Sequence, residues 1–335
     1  MFHFLGRSGQ NGEQAVDPDV HAGAETAPLR PSIGLVLGGG AARGFAHIGV
    51  IKTLLAKGYA PDIITGTSIG AVIGGCHAAG KLDAIEEWAR GLTRRSLLGY
   101  LDISFSGSGL LNGAKLAEKL AEAIGDVPID QLPVRYAAIA TEVGTGHEIW
   151  ITRGRLIDAL RASYALPGIF PPVRLGERWL VDGALVNPVP VSVARALGAR
   201  VVIAVNVNTD LFGRGTAVPD GVPDLGATRE PPIEEEVANR GLFGLLGAEK
   251  TAKRRILGTA SRPGLSSIMV EAFNIMQDRI TRARLAGDPP DIMISPRVGR
   301  IALFDFHRAQ EAIALGAEAA ERALEGLDEV VTALA

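Results

Sequence analysis

The chain is 335 residues long, 47% hydrophobic and 21% charged, with a formal net charge of -3 and an isoelectric point near 6.1. That supplies apolar material for one large core or two smaller ones, and no overall basic field to hold nucleic acid. The single cysteine, Cys76, excludes an intramolecular disulfide and suits a reducing compartment.

Residues 1–30 lack the long apolar core and small-residue cleavage site of a secretory signal. They read as a loose polar leader. No run reaches the ~18 apolar residues of a membrane span, so a cytoplasmic protein is expected. Ile33-Gly34-Leu35-Val36-Leu37 is a compact strand that runs into Gly38-Gly39-Gly40. A helix follows, with Phe45, Ile48, Ile51, Leu54 and Leu55 at helical spacing. A Walker loop is excluded because its lysine is missing. A dinucleotide fingerprint fits poorly: counting from Gly38 its sixth position is Arg43, and from Gly39 its third is Ala41. An oxyanion hole is the remaining reading. Glycines let backbone N–H groups approach an anionic oxygen, and one such donor is worth about 3–4 kcal/mol in a transition state. Arg43 would add positive charge or tie the loop down.

Ile63-Ile64-Thr65 is a second short strand, and Gly66-Thr67-Ser68-Ile69-Gly70 turns it into a helix. This is the G-x-S-x-G spacing of a nucleophile elbow. A sharp strand-to-helix turn exposes the serine hydroxyl but strains the serine backbone, so the residues two before and two after must lack bulk. The following helix is small-sided, with Ala71, Gly74, Gly75, Ala78 and Ala79. Its first N–H groups point at the reaction centre. The competing reading is a capping serine at an ordinary strand-to-helix connection. Two successive strand–loop–helix units predict a parallel sheet, with the glycine loop and Ser68 facing each other at its carboxyl edge.

Further along, residues 81–90 and 114–124 read as helices, and 91–113 as a mixed excursion. Strands are expected at 136–141 and 147–152, joined through Gly144-Thr145-Gly146. A helix at 156–164 ends in the rigid Pro167-Gly168-Ile169-Phe170-Pro171-Pro172 turn. Arg178-Trp179-Leu180-Val181 is a strand stopping at Asp182-Gly183-Ala184, where site residues gather in a parallel sheet. Asn187-Pro188-Val189-Pro190 leads into a helix through Leu197, and 201–207 is a fully apolar interior strand. Residues 208–264 break the rhythm with Gly, Pro and charge. Leu242-Phe243-Gly244-Leu245-Leu246 there precedes Lys250, Lys253, Arg254 and Arg255. This insertion reads first as solvated chain packing on the domain, with peripheral contact to an anionic membrane surface as the alternative. A helix at 265–285 places Ile268, Met269, Ala272, Ile275 and Met276 on one side, the Met pair as core filler. A last strand at 291–295 and an alanine-rich helix at 306–324 close the fold. With no repeat and no linker, residues 31–335 form one domain carrying the 208–264 insertion.

A serine nucleophile needs a base, commonly a histidine held by a carboxylate. His3 and His21 are in the leader, His47 and His77 on small-residue helices, His147 at a strand start and His307 at the last helix. None follows a strand at the carboxyl edge. Asp182 does, and an aspartate becomes a useful base when burial raises its pKa and a hydrogen bond joins it to the hydroxyl.

Gly38-Gly39-Gly40-Ala41-Ala42-Arg43-Gly44, Gly66-Thr67-Ser68-Ile69-Gly70 and Asp182-Gly183-Ala184 resemble the three motifs of the patatin-like phospholipases. Arg161-Ala162-Ser163 with the proline turn after it, and Asn187-Pro188-Val189-Pro190, are also similar to that family. So are Ile275-Met276-Gln277-Asp278-Arg279 and Phe304-Asp305-Phe306-His307-Arg308, to a bacterial branch of it. One departure is a second alanine before Arg43. The resemblance implies a three-layer α/β/α sandwich with a mostly parallel sheet, and hydrolysis of lipid acyl esters by a Ser68–Asp182 dyad. It also implies an oxyanion hole from the Gly38, Gly39 and Gly40 backbone with the Ile69 N–H, supported by Arg43, Gly66, Gly70 and Gly183. No cofactor or metal is implied. An acyltransferase of related fold is the alternative, disfavoured because Thr67 precedes the serine where such enzymes often carry histidine. A non-catalytic module binding a lipid surface is the other.

Overall fold

The computed structural model describes residues 30–96, 113–211, 258–259, 262–263 and 265–334. The leader, most of the 91–113 excursion and most of the 208–264 insertion lie outside them. Strands β1 (Ile33–Leu37), β2 (Ile63–Thr67) and β7 (Val201–Val205) are buried along their whole length, as in a sheet covered on both faces. Alternation sorts their side chains. Ile33, Leu35, Leu37, Ile64, Val201, Ile203 and Val205 enter one core; Val36, Ile63, Val202 and Ala204 enter another. The first core is filled by α1 (Ala46–Ala56), α2 (Ile69–Ala78), α3 (Leu82–Arg90), α4 (Ala114–Ile124), α5 (Leu156–Ser163) and α8 (Ala309–Leu334). The second is covered by α6 (Val191–Ala196) and by Leu285 near the end of α7 (Leu265–Gly287). These are the three layers that the family resemblance implied.

The remaining strands are β3 (Arg135–Glu142), β4 (Glu148–Ile151), β5 (Val173–Leu175), β6 (Arg178–Asp182) and β8 (Ile292–Ile294). Hydrogen-bonded pairs link the eight-stranded sheet in the sequence β8-β7-β1-β2-β3-β6-β5, and β4 also pairs with β3, which therefore has three partners along its length. From β8 to β3 every pair is parallel. β4 and β6 are antiparallel to β3, and β5 to β6. One expectation is therefore corrected: β6 is not a further parallel strand. It reaches the carboxyl edge because it overlaps β3 only from Ala140 to Glu142, so its last residue stops at that edge instead of crossing the sheet.

Smaller differences have local causes. The segment after the glycine loop starts as a 3-10 turn at Ala41–Phe45 before α1. β5 was not expected, since three residues behind a proline pair show no alternation. α8 continues to Leu334, well past residue 324. The Met pair of α7 is not core filler: Met269 is 48% and Met276 47% exposed, beside exposed Ile268 and Ile275. Among the described residues no helix is long and apolar enough to cross a membrane.

Candidate active site

β2 ends at Thr67, and Ser68 turns the chain into α2 with φ 57 and ψ -125. Such a backbone costs a non-glycine residue about 1–3 kcal/mol. Among the described residues only Ala41 shares a positive φ without being glycine, at 48. It belongs to the glycine loop, in the alanine pair where the loop departs from its commonest pattern. Both strained residues line the same cavity. The flanking glycines meet the demand for small size. A methyl on Gly66 would stand 2.5 Å from the Ala71 nitrogen, and one on Gly70 would run into the Leu37 carbonyl.

Ser68 Oγ donates to Asp182 Oδ2 at 2.7 Å. The other oxygen, Asp182 Oδ1, accepts from the Ala184 N–H at 2.8 Å. Asp182 is buried. Burial pushes its pKa up to about 6, against the lowering effect of the bonds from Ser68 and Ala184. The Thr141 hydroxyl donates to the Asp182 backbone carbonyl at 2.9 Å, and Gly183 packs so close to the Ile139 carbonyl that no side chain would fit. The contact from serine to carboxylate is direct, without an imidazole.

The glycine loop lies against the serine: a methyl built on Gly39 would be 3.5 Å from Ser68 Cβ. Its carbonyls are each taken by a different side chain. His47 Nε2 bonds Gly38 O at 2.8 Å, Asn208 Nδ2 bonds Gly39 O at 2.9 Å and Arg43 Nε bonds Gly40 O at 3.3 Å. Burial pulls the His47 pKa down to about 4 and that of Arg43 to about 10. His47 is thus neutral near pH 7 and donates from Nε2 to the carbonyl. Arg43 also reaches Asn274 of α7 at 2.9 Å, so it ties the loop down. The loop's own N–H groups are not equivalent. Gly38 donates to Val205 O and Gly39 to Pro188 O, both at 3.0 Å. The Gly40 and Ile69 N–H groups have no acceptor among the described residues, and both residues line the cavity beside Ser68. Of the four N–H groups expected from sequence, two are thus committed within the fold and two are uncommitted among the described residues.

The cavity over Ser68 and Asp182 is almost wholly apolar. Val72, Ile85, Trp88, Leu120 and Phe273 form much of its wall, with Phe304 at 43% exposure among its lining residues. It can take a hydrocarbon chain whose carbonyl carbon sits at the serine. Sequence reasoning missed three buried polar residues that hold the site: His47, Asn208 and Ser163. Ser163 accepts the Ser68 N–H at 2.9 Å. Its only sequence signal was its place in Arg161-Ala162-Ser163.

A serine on a strained turn between parallel strand and helix, bonded to a buried strand-end carboxylate, gives this α/β protein the geometry of a nucleophile elbow. Comparison with known proteins narrows the class. The patatin-like phospholipase family model matches residues 35–195. An uncharacterized NTE family protein of Mycobacterium tuberculosis is 35% identical over 89% of this chain and 92% of its own length. A patatin-like phospholipase domain-containing protein of Caenorhabditis elegans is 37% identical over 56% of this chain and 15% of its own. The crystal structure of VipD from Legionella pneumophila aligns with a TM-score of 0.41 and 13% identity, over 89% of this chain and 68% of that one. The chain belongs to the patatin-like phospholipase family.

Proposed function

We propose that the protein is a serine acyl hydrolase of the phospholipase, lysophospholipase or carboxylesterase type, acting on lipid acyl esters. The observation that carries the reading is the 2.7 Å bond between Ser68 Oγ and the buried Asp182 carboxylate at the end of an apolar cavity. Asp182 takes the hydroxyl proton as Ser68 Oγ attacks the ester carbonyl carbon. The carbonyl oxygen gains the negative charge, which the Gly40 and Ile69 N–H groups stabilise together with the N-terminus of α2. Asp182 then returns the proton to the leaving alkoxide, giving an alcohol and an acyl-Ser68. Water attacks the acyl group with Asp182 again as base, releasing the fatty acid and the free serine. The raised pKa suits this work, because a carboxylate at its ordinary 3.8 is too weak a base for an alcohol.

The family supports acyl-ester chemistry, and the relative from Caenorhabditis elegans is named for a phospholipase domain. Peripheral contact with a lipid surface, the alternative reading of the 208–264 insertion, falls on residues outside those described, and the exposed face of α7 supports such contact from another part of the chain. Ile268, Met269, Ile275 and Met276 stand about half exposed on the helix whose Phe273 and Gln277 line the cavity. An acyltransferase differs only in the acceptor that resolves the acyl-enzyme, so product analysis with water against added alcohol or thiol separates the two. A non-catalytic module would leave Ser68 unlabelled.

The test is hydrolysis of a soluble p-nitrophenyl butyrate together with fluorophosphonate labelling located by mass spectrometry. The label is expected on Ser68, and Ser68→Ala should lose at least about 10³-fold in kcat/KM. Activity surviving in Ser68→Ala would remove the reading.

A further inference from the structure

Ser68 and Asp182 are carried by strands that meet end to end. β3 pairs with β2 from Arg135 to Ile139 and with β6 from Ala140 to Glu142. β4 spans β3 from Ala138 to Thr141. It overlaps both partners, so it must occupy the opposite flank, and β2 and β6 share one flank in tandem. Thr67 faces Ile139 and Asp182 faces the next residue, Ala140. The two strand ends are thus held on consecutive residues of β3, and no ladder pairs β2 with β6 directly.

The end of α5 fills this junction. Ser163 Oγ donates to Ile139 O at 2.6 Å, and the same oxygen accepts the Ser68 N–H at 2.9 Å. Two residues on, Ala165 O accepts the Asp182 N–H at 2.9 Å. Ser163 is fully buried. One short turn thus grips the backbone of both residues whose side chains touch. We infer that the Ser163–Ala165 turn is the gauge that sets Ser68 against Asp182, with Ser163 as a positioning residue for the nucleophile. The inference rests on the reading of Ser68 given above. Its physical content is simple. The strained Ser68 backbone relaxes unless its N–H is held, and a displacement of about 1 Å costs on the order of 10²-fold in rate. The same turn places Tyr164 and Leu166 in the cavity wall, so a chain packed against that wall bears on the segment that spaces the dyad.

The test compares Ser163→Ala, Ser163→Cys and Ser163→Thr in the full chain, with each kcat normalised to the fraction of Ser68 labelled by fluorophosphonate. Alanine has no acceptor and a thiol is a poor one, so both should lose about 10- to 100-fold in kcat per labelled site and in labelling rate. KM should stay within about twofold and the pH midpoint should not move, since neither binding nor Asp182 is altered. Threonine keeps the oxygen and should recover most of the rate. A merely structural Ser163 would lower the melting temperature and the labelled fraction while leaving kcat per site intact, and that result would overturn the inference. Wild type labelled somewhere other than Ser68 overturns the functional reading, and this with it; labelled on Ser68 with an unaffected Ser163→Ala, only the gauge falls. If no variant folds, amide exchange in wild type decides. The Ser68 N–H should be as protected as those of β2, and exchange at the rate of an open loop would overturn the assignment.

Discussion

Asp182 carries two opposed demands. As the proposed base it must be ionised, and as a buried group it resists ionisation. kcat/KM should therefore rise with pH and level off above about 6; a flat profile from pH 5 to 8 would refute the base assignment. The same shift has a stability consequence. Between pH 3.8 and about 6 the folded chain holds a proton that the unfolded chain has released. Its stabilising contribution is full below pH 3.8 and is lost as pH rises through about 6. At pH 8 the buried carboxylate then costs on the order of 3 kcal/mol. Asp182→Asn should consequently melt higher than wild type at pH 8, with the difference gone below pH 4, while kcat falls at least about 10²-fold. Denaturant or thermal melts at the two pH values, alongside steady-state rates, check both halves. A variant less stable at pH 8 would sink the burial argument.

Between elements, α1 and α8 approach backbone to backbone. A methyl on Gly49 would enter the Ile313 carbonyl, and one on Gly316 would enter the Ala46 carbonyl. The contact is reciprocal, backbone against backbone, with no side chain able to give way. Gly316→Ala should therefore destabilise by about 1–3 kcal/mol, read as a lower unfolding midpoint in urea. An unchanged midpoint would mean that the helices are not in this register. The contact matters for the site because α1 begins where the glycine loop's 3-10 turn ends, and His47 of α1 holds Gly38 O. Helix packing is thereby connected to the aim of the loop.

At the level of the whole molecule, the cavity lies beside the half-exposed apolar side chains of α7 and Phe304. Under the proposed function, that side of the molecule is the one to meet a substrate in an aggregate. Met269→Glu with Met276→Glu should lower the rate on phospholipid vesicles about 5- to 10-fold, because burying charge at an apolar contact is costly. Hydrolysis of soluble p-nitrophenyl butyrate should stay within about twofold. Equal losses on both substrates would place the effect in the site and not at a lipid surface.

By itself the sequence determined the parallel strand–loop–helix core, pointed to Ser68 and Asp182 as the candidate pair, and through its family motifs implied the three-layer fold. Unbroken apolar strands declare a doubly covered sheet, and Gly66 and Gly70 are needed by a turn only a few residues long. What tertiary structure alone decided depends on residues far apart in the chain. The antiparallel sense of β6 is one such decision, since a strand's direction is set by its partner and not by its composition. Which loop N–H groups stay uncommitted is another: Val205 O and Pro188 O, more than 140 residues away, take those of Gly38 and Gly39. The exposure of Met269 and Met276 is a third, because helical spacing marks an apolar face without saying what covers it. Ser163 belongs with these, 95 residues from the Ser68 amide it holds.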